Sequence, residues 1–162
     1  MLTAKRLRQV LYYDPNTGLF RWNVSTSNRM KVGSVAGAVS HAHITIGVDA
    51  RRYFAHRLAW LYMTGEWPSH EIDHRDADGL NNRWANLRAA TRTQNARNVP
   101  KQKNNTSGFK GAYFHQQSGL WFASITVNRK QMYLGYFKTA KLAHAAYCEA
   151  AKTLHGDFAR VA

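Results

Sequence analysis

The chain of 162 residues is poor in three residue types: one cysteine, three prolines and nine acidic residues. The lone Cys148 excludes an internal disulfide and any zinc site built from several cysteines. A reduced, cytosolic setting is therefore expected. No apolar run approaches the roughly 18 residues of a membrane-spanning helix. The opening stretch MLTAKRLRQVLYYD is broken by basic residues, so a secretory signal is not expected. With 44% hydrophobic and 12% aromatic residues, real cores are expected rather than disorder.

The shortage of acids is the informative one. Twenty-three Lys and Arg face nine Asp and Glu, a net charge of +14. That balance points to a polyanionic partner, nucleic acid before an anionic membrane. The membrane reading requires a basic amphipathic helix. The clearest amphipathic segment, from Thr139, carries only Lys141 and Lys152. The acids are also unevenly spread. Glu66, Glu71, Asp73, Asp76 and Asp78 fall within thirteen residues, and none occurs from Gly79 to Cys148. A small anionic site inside a cationic surface is what a nuclease needs: cations hold the backbone, and a local carboxylate holds a metal ion. A chance cluster of surface acids is the plainer alternative.

Local patterns set the elements. Thr3 is placed to cap a short helix with Leu7, Val10 and Leu11 as its stripe, ended by the turn residues DPNTG. Residues 19–22 read as a strand and GSVAGAVSH as a loop. HITIGVDARRYFAHR predicts two strands about a turn near residues 48–50. AHRLAWLYMTG predicts a helix closed by Gly65. Residues 98–107 are polar and aperiodic, a linker. Three strand-like runs follow, FKGAYFH, LWFASITVN and QMYLGYF, then a helix capped by Thr139 with Ala143, Tyr147, Ala150 and Leu154 as its stripe.

Phosphodiester hydrolysis requires a base near neutral pKa and charge stabilisation on the leaving oxygen. Histidine suits the first need, and a divalent ion on oxygen ligands the second. The stretch IDHRDADGLNNRWANLRAATRTQN supplies both residue types, and it resembles the HNH endonuclease motif in its asparagine-ending variant. The resemblance covers about residues 50–98 and implies a ββα-metal (His-Me finger) fold around one ion, Mg²⁺ or Mn²⁺. It implies His74 as general base and Asp73 as metal ligand. Asn86 would brace the loop behind the histidine, and Asn95, 22 residues after Asp73, would be the second ligand. His56 in AHRLAW matches a further family histidine, expected to be structural or a phosphate contact. Asp76 and Asp78 lack the terminal Glu of a calcium loop and are expected as loop polar residues.

The segment from Ser107 to Ala159 resembles the Apetala/ethylene-response-factor DNA-binding domain, through GLW and YLGYFKTAKLAHAAY. This implies a three-stranded antiparallel sheet on one helix, with the sheet in the major groove. Lys110, Tyr113, His115 and Trp121 fall at the recognition positions, and most of that family's arginines are absent. Alternation puts Phe122 and Ser124 on one strand face and Trp121, Ala123 and Ile125 on the other.

The expectation is thus an α+β chain: a nuclease unit over 1–97 with its ββα core at about 66–97, a linker over 98–107 and a DNA-binding unit over 108–162. Its function would be metal-dependent cleavage of double-stranded DNA by a monomer, a dimer being the route to cutting both strands. If phage-encoded, it would act in the host cytoplasm. Arg83, Arg88, Arg92, Arg97, Arg129 and Lys130 are the expected phosphate contacts. The rival is a non-catalytic, sequence-specific DNA-binding regulator with a degenerate nuclease unit.

Overall fold

A computed structural model describes residues 1–25, 30–97, 105–128 and 130–160, the side chain of Arg97 excepted. Two compact units are present, Met1–Thr91 and Arg92–Ala162. Among the described residues no helix is long and apolar enough to cross a membrane.

The first unit begins with helix α1 (Ala4–Val10), whose N-cap Thr3 accepts a hydrogen bond from Arg6 N–H at 3.2 Å. Leu7 and Val10 are buried, as the stripe requires. Leu11 does not continue the helix. It opens strand β1 (Leu11–Tyr13), which pairs antiparallel with β2 (Phe20–Trp22). The turn residues Asp14–Gly18 therefore close a hairpin rather than end a helix. β1 escaped the sequence because three residues carry too little alternation to stand apart from the helical stripe.

A second sheet is a meander of β3 (Ala38–Ser40), β4 (His43–Val48) and β5 (Arg51–Phe54). Its two tight turns, His41–Ala42 and Asp49–Ala50, hold both central residues at positive φ, the twist that two-residue hairpins favour. β3 lies inside the segment read as a loop; edge pairing recruits small residues whose propensity is low. Helix α2 (Ala55–Thr64) follows directly and ends at Gly65 in the left-handed conformation. Strands β6 (Glu71–His74) and β7 (Leu87–Ala90) then form a separate antiparallel pair, with Asp73 opposite Arg88 and His74 opposite Leu87. One core, including Leu7, Leu11, Tyr13, Phe20, Ile46, Leu58, Leu61, Ile72 and Leu87, is built from both helices and from β1, β2, β4, β6 and β7.

The second unit contains the short helix α3 (Arg92–Arg97) and strands β8 (Ala112–His115), β9 (Leu120–Val127) and β10 (Lys130–Phe137), ordered β10-β9-β8. Helix α4 (Ala140–His155) packs on this sheet. Because α3 groups with the second unit, the first unit carries the two strands of the expected ββα arrangement without its helix. Most of the expected linker, 98–104, lies outside the described residues, as does Arg129. The buried stripe of α4 is Ala143, Tyr147, Ala151 and His155 rather than Ala150 and Leu154. Burial follows an unbroken i, i+4 row, in which alanines let the helix sit close to the sheet.

One turn residue ties the elements of unit 1 together. Gly18 (φ +76°) sits against the backbone of Asn82 and Arg83; an added Cβ would lie 2.5 Å from Asn82 C and from Arg83 N. Both the backbone conformation and the space demand glycine. Gly18→Ala is predicted to destabilise the unit by roughly 2–4 kcal/mol, from overpacking plus positive-φ strain. Urea unfolding measures it, and a wild-type midpoint would refute the close packing.

Candidate active site

The segment between β6 and β7 is a loop held by its own side chains. The Asn86 side chain donates to Asp76 Oδ1 (2.9 Å) and to the Asn81 carbonyl (2.8 Å), and its Oδ1 accepts from Asp76 N–H (3.1 Å). Asp76 also accepts from Asn81 Nδ2 (2.6 Å) and from Asp78 N–H (2.9 Å). Desolvation opposes the Asp76 charge, but these hydrogen bonds outweigh it and hold the pKa below the usual carboxylate value. Asp76, expected only as a polar loop residue, is thus the anchor on which Asn86 pulls. The backbone of Asn86 closes the same loop, accepting from Arg75 N–H at 2.8 Å next to His74.

His74 ends β6 and is 6% exposed. Its Nε2 lies 3.2 Å from Asn82 Oδ1. Asn82 Nδ2 donates to the Leu80 carbonyl (3.2 Å), which turns its oxygen toward the imidazole. The network therefore puts the ring proton on Nε2 and the lone pair on Nδ1. Burial lowers the His74 pKa, with the Asn82 hydrogen bond partly opposing, so the imidazole is neutral at neutral pH. Asn82, 1% exposed, is itself pinned: Tyr13 Oη donates to its carbonyl at 2.7 Å. Burial in turn raises the Tyr13 pKa above its ordinary value, keeping the phenol a donor. No signal distinguished Asn82 from Asn81 in the sequence; its role depends on a tyrosine 69 residues away.

Asp73 is 5% exposed and paired with Arg88, whose Nε and Nη2 both approach Oδ2, at 2.8 and 2.6 Å. Arg88, expected at a DNA phosphate, is instead buried at 8% exposure, because register sets it directly across from Asp73. A buried carboxylate next to the histidine is a donor suited to a hard divalent ion. Asn95 lies half-buried on α3, in the second unit. Two further imidazoles approach His74. His56 at the start of α2 and His43 at the start of β4 each bring a ring nitrogen within 4.8 Å of the others and of His74. His56, expected structural or at a phosphate, is only 9% exposed. Burial, then the neighbouring His74 and His43, push its pKa down to about 3. His43 was not anticipated, since nothing in HITIGV sets it apart from an ordinary strand residue.

In the second unit the sheet face turned away from α4 carries a run of rings. Phe122 contacts Tyr113 (5.3 Å between centroids), Tyr133 (5.6 Å) and Tyr136 (6.2 Å), and His115 meets Tyr136 at 5.5 Å. Tyr113, Tyr133 and Tyr136 are exposed. Tyr133 and Tyr136 are three residues apart and would ordinarily point to opposite faces. A register shift between Tyr133 and Gly135 puts both on one face and sends Leu134 to the core. Strict alternation hides such a bulge, so Tyr113, His115 and the facing of Phe122 were legible in the sequence, whereas Tyr133 and Tyr136 were not. Trp121 lies on the α4 side, partly buried against that core and 5.1 Å from Phe114. Lys110 is half-buried, with Nζ donating to the Arg160 carbonyl at 3.1 Å, and burial lowers its pKa. Arg83, Arg92 and Lys130 are exposed. The Arg97 side chain and Arg129 lie outside the described residues.

Comparison with known proteins now adds to the geometry. A family model described as HNH endonuclease matches residues 53–97. Protein 3.8 of Escherichia phage T7 is 33% identical over 108 residues, covering 65% of this chain and 87% of that protein. No solved structure gives a significant match.

The buried Tyr13–Asn82 contact can be tested alone. Tyr13→Phe leaves the Asn82 carbonyl buried without its donor and is expected to cost about 1–3 kcal/mol in chemical denaturation. A loss below 0.5 kcal/mol, roughly the floor for a lost hydrogen bond, would mean that the hydroxyl does not hold the loop.

Proposed function

We propose a function from one premise: the chain belongs to the family of phage T7 protein 3.8 and carries an HNH endonuclease domain. It is a DNA endonuclease that hydrolyses phosphodiester bonds with His74 as general base. The observation that carries this reading is the oriented His74: buried, neutral, and held through Nε2 by Asn82, with its Nδ1 lone pair able to take a proton from water. Asn86 and Asp76 fix the backbone on which the ring stands. Asp73 would hold one divalent ion, Mg²⁺ or Mn²⁺, which when bound would stabilise charge on the phosphate and leaving oxygen. Arg88 holds the Asp73 carboxylate in position through its two contacts to Oδ2.

The second unit would supply affinity for double-stranded DNA. Its resemblance to the Apetala/ethylene-response-factor domain supports this, and so does the face of Tyr113, His115, Phe122, Tyr133 and Tyr136. Arg83, Arg92 and Lys130 are the exposed cations best suited to phosphates. Division into a nuclease part ending near residue 97 and a DNA-binding part from about 108 remains the proposed functional organisation.

With Mg²⁺, purified protein should nick or linearise supercoiled plasmid, and EDTA should abolish the reaction. His74→Ala should lower the rate by roughly 100- to 10,000-fold, the range of a lost general base. Unchanged cleavage in that variant would remove His74 from the chemistry. No cleavage by the wild type in Mg²⁺ or Mn²⁺ would favour the non-catalytic DNA-binding regulator.

Binding separates the two kinds of contact in the second unit. Lys130→Ala should reduce the slope of log affinity against log salt by about one, as loss of a phosphate contact does. Tyr133→Ala should weaken binding and leave that slope unchanged. Identical slopes and affinities in both variants would place the DNA elsewhere.

A further inference from the structure

We propose that His43, His56 and His74 form a binding site for a borderline transition ion of the Zn²⁺ or Co²⁺ class, and that occupancy blocks cleavage by taking the His74 lone pair. The inhibitory half of this proposal rests on His74 being the base, as argued above; the binding half does not.

The geometry is that of a nearly assembled three-nitrogen site. One ring nitrogen from each histidine lies within 4.8 Å of the other two. A tetrahedral ion with Zn–N bonds near 2.05 Å needs its nitrogens about 3.3 Å apart. Binding would close that gap by rotation of the His43 and His74 rings toward His56. The ring centroids are already 5.1 Å apart for His56 and His74, 5.5 Å for His43 and His56, and 5.8 Å for His43 and His74.

A second observation points to a ligand. His56 Nδ1 is buried with no hydrogen-bond partner. A buried polar atom left unsatisfied costs free energy, and such exceptions ask for a cause. A metal ion would satisfy it. The ring is also fixed in place, stacked on Phe54 with planes 11° apart and centroids 5.3 Å apart.

The outer partners suit ligation as well. Metal-bound imidazoles typically donate their other ring N–H to a carbonyl or similar acceptor. His43 Nδ1 lies 3.0 Å from the His41 carbonyl, which leaves the lone pair on Nε2. His74 Nε2 meets Asn82 Oδ1, which leaves the lone pair on Nδ1. Gly79 presses on the His43 side: an added Cβ would stand 2.3 Å from the Ala42 carbonyl oxygen and 3.0 Å from His43 Nε2. The loop between β6 and β7 thus also seats the third imidazole.

Ligand softness separates this site from the one proposed at Asp73. Imidazole favours Zn²⁺, Co²⁺ and Ni²⁺, whereas Mg²⁺ prefers oxygen and gives up its waters reluctantly. Millimolar Mg²⁺ should therefore leave the three imidazoles empty. A borderline ion should take them and remove the base without displacing the carboxylate chemistry.

The test uses full-length protein stripped of metal by chelation, titrated with Co²⁺ alone in excess Mg²⁺ and followed by visible absorption. One equivalent should bind with the d–d spectrum of low-coordinate nitrogen ligation. His43→Ala and His56→Ala should each weaken binding by at least roughly tenfold, since even an outer partner is worth that much. His43→Phe, which keeps a ring against Phe54 and Gly79, should weaken it equally, separating lost ligation from lost folding. Asp73→Asn should still bind Co²⁺. Zn²⁺ should inhibit plasmid cleavage by the wild type at concentrations that leave His43→Phe active. Wild-type Co²⁺ affinity in both His43→Phe and His56→Ala overturns the site. Absence of Mg²⁺-dependent cleavage alongside His43-dependent Co²⁺ binding sinks the nuclease reading and leaves the ion site standing. Zinc inhibition that persists unchanged in His43→Phe overturns the inhibitory half.

Discussion

The site of unit 1 depends on how Asn82 is held. Its side-chain oxygen faces His74 Nε2, its amide nitrogen donates to Leu80, and its carbonyl accepts from Tyr13. Each contact restricts a different freedom. The first sets the tautomer of the imidazole, the second the orientation of the amide, and the third the position of the backbone. Gly18 adds a steric limit by bringing the N-terminal hairpin against the same peptide. The β1–β2 hairpin, far from the motif in sequence, is thus part of what orients the histidine. Such contacts are modest individually, about 1 kcal/mol for an ordinary hydrogen bond. Their value lies in convergence on one residue, since a base misplaced by about 1 Å can lose roughly a hundredfold in rate.

Charge follows a similar logic. A net charge of +14 would make an isolated carboxylate an obvious partner for any stray cation. Asp73 avoids this by being buried against Arg88. Two charges taken out of water are costly unless well paired, and losing one partner of such a pair typically costs about 3–5 kcal/mol. The pair therefore fixes the β6–β7 register as well as the carboxylate. The acids that cluster nearby in sequence have separate work. Asp76 and Asp78 cap backbone N–H groups of the loop, and Glu71 is exposed at the start of β6.

What could be read from the sequence was whatever depends on local pattern. Thr3, Gly65 and Thr139 announce helix ends because capping is a short-range event. The β4–β5 hairpin and the three-strand-plus-helix order of the second unit follow from alternation and turn residues. Asp73, His74 and Asn86 stood out through a spaced motif. What stayed hidden depends on distant or irregular events. His43 matters only because the β3–β4 turn folds beside Gly79, and Asn82 only because Tyr13 reaches it. Tyr133 and Tyr136 share a face only because the strand bulges. Arg88 looked like a surface cation because composition cannot tell which arginine faces a carboxylate across a strand pair.

His74 then stands at the meeting of two coordination chemistries. An oriented imidazole lone pair is what a general base needs, and it is also what a borderline metal ion seeks. Burial serves both, because it keeps the ring neutral. The neighbours decide the balance. With His43 and His56 within reach, the same lone pair can be drawn into a third metal–nitrogen bond. A site that orients its imidazole lone pair is for that reason exposed to inhibition by the ions that histidine binds best. Two additional imidazoles turn that general vulnerability into a specific one.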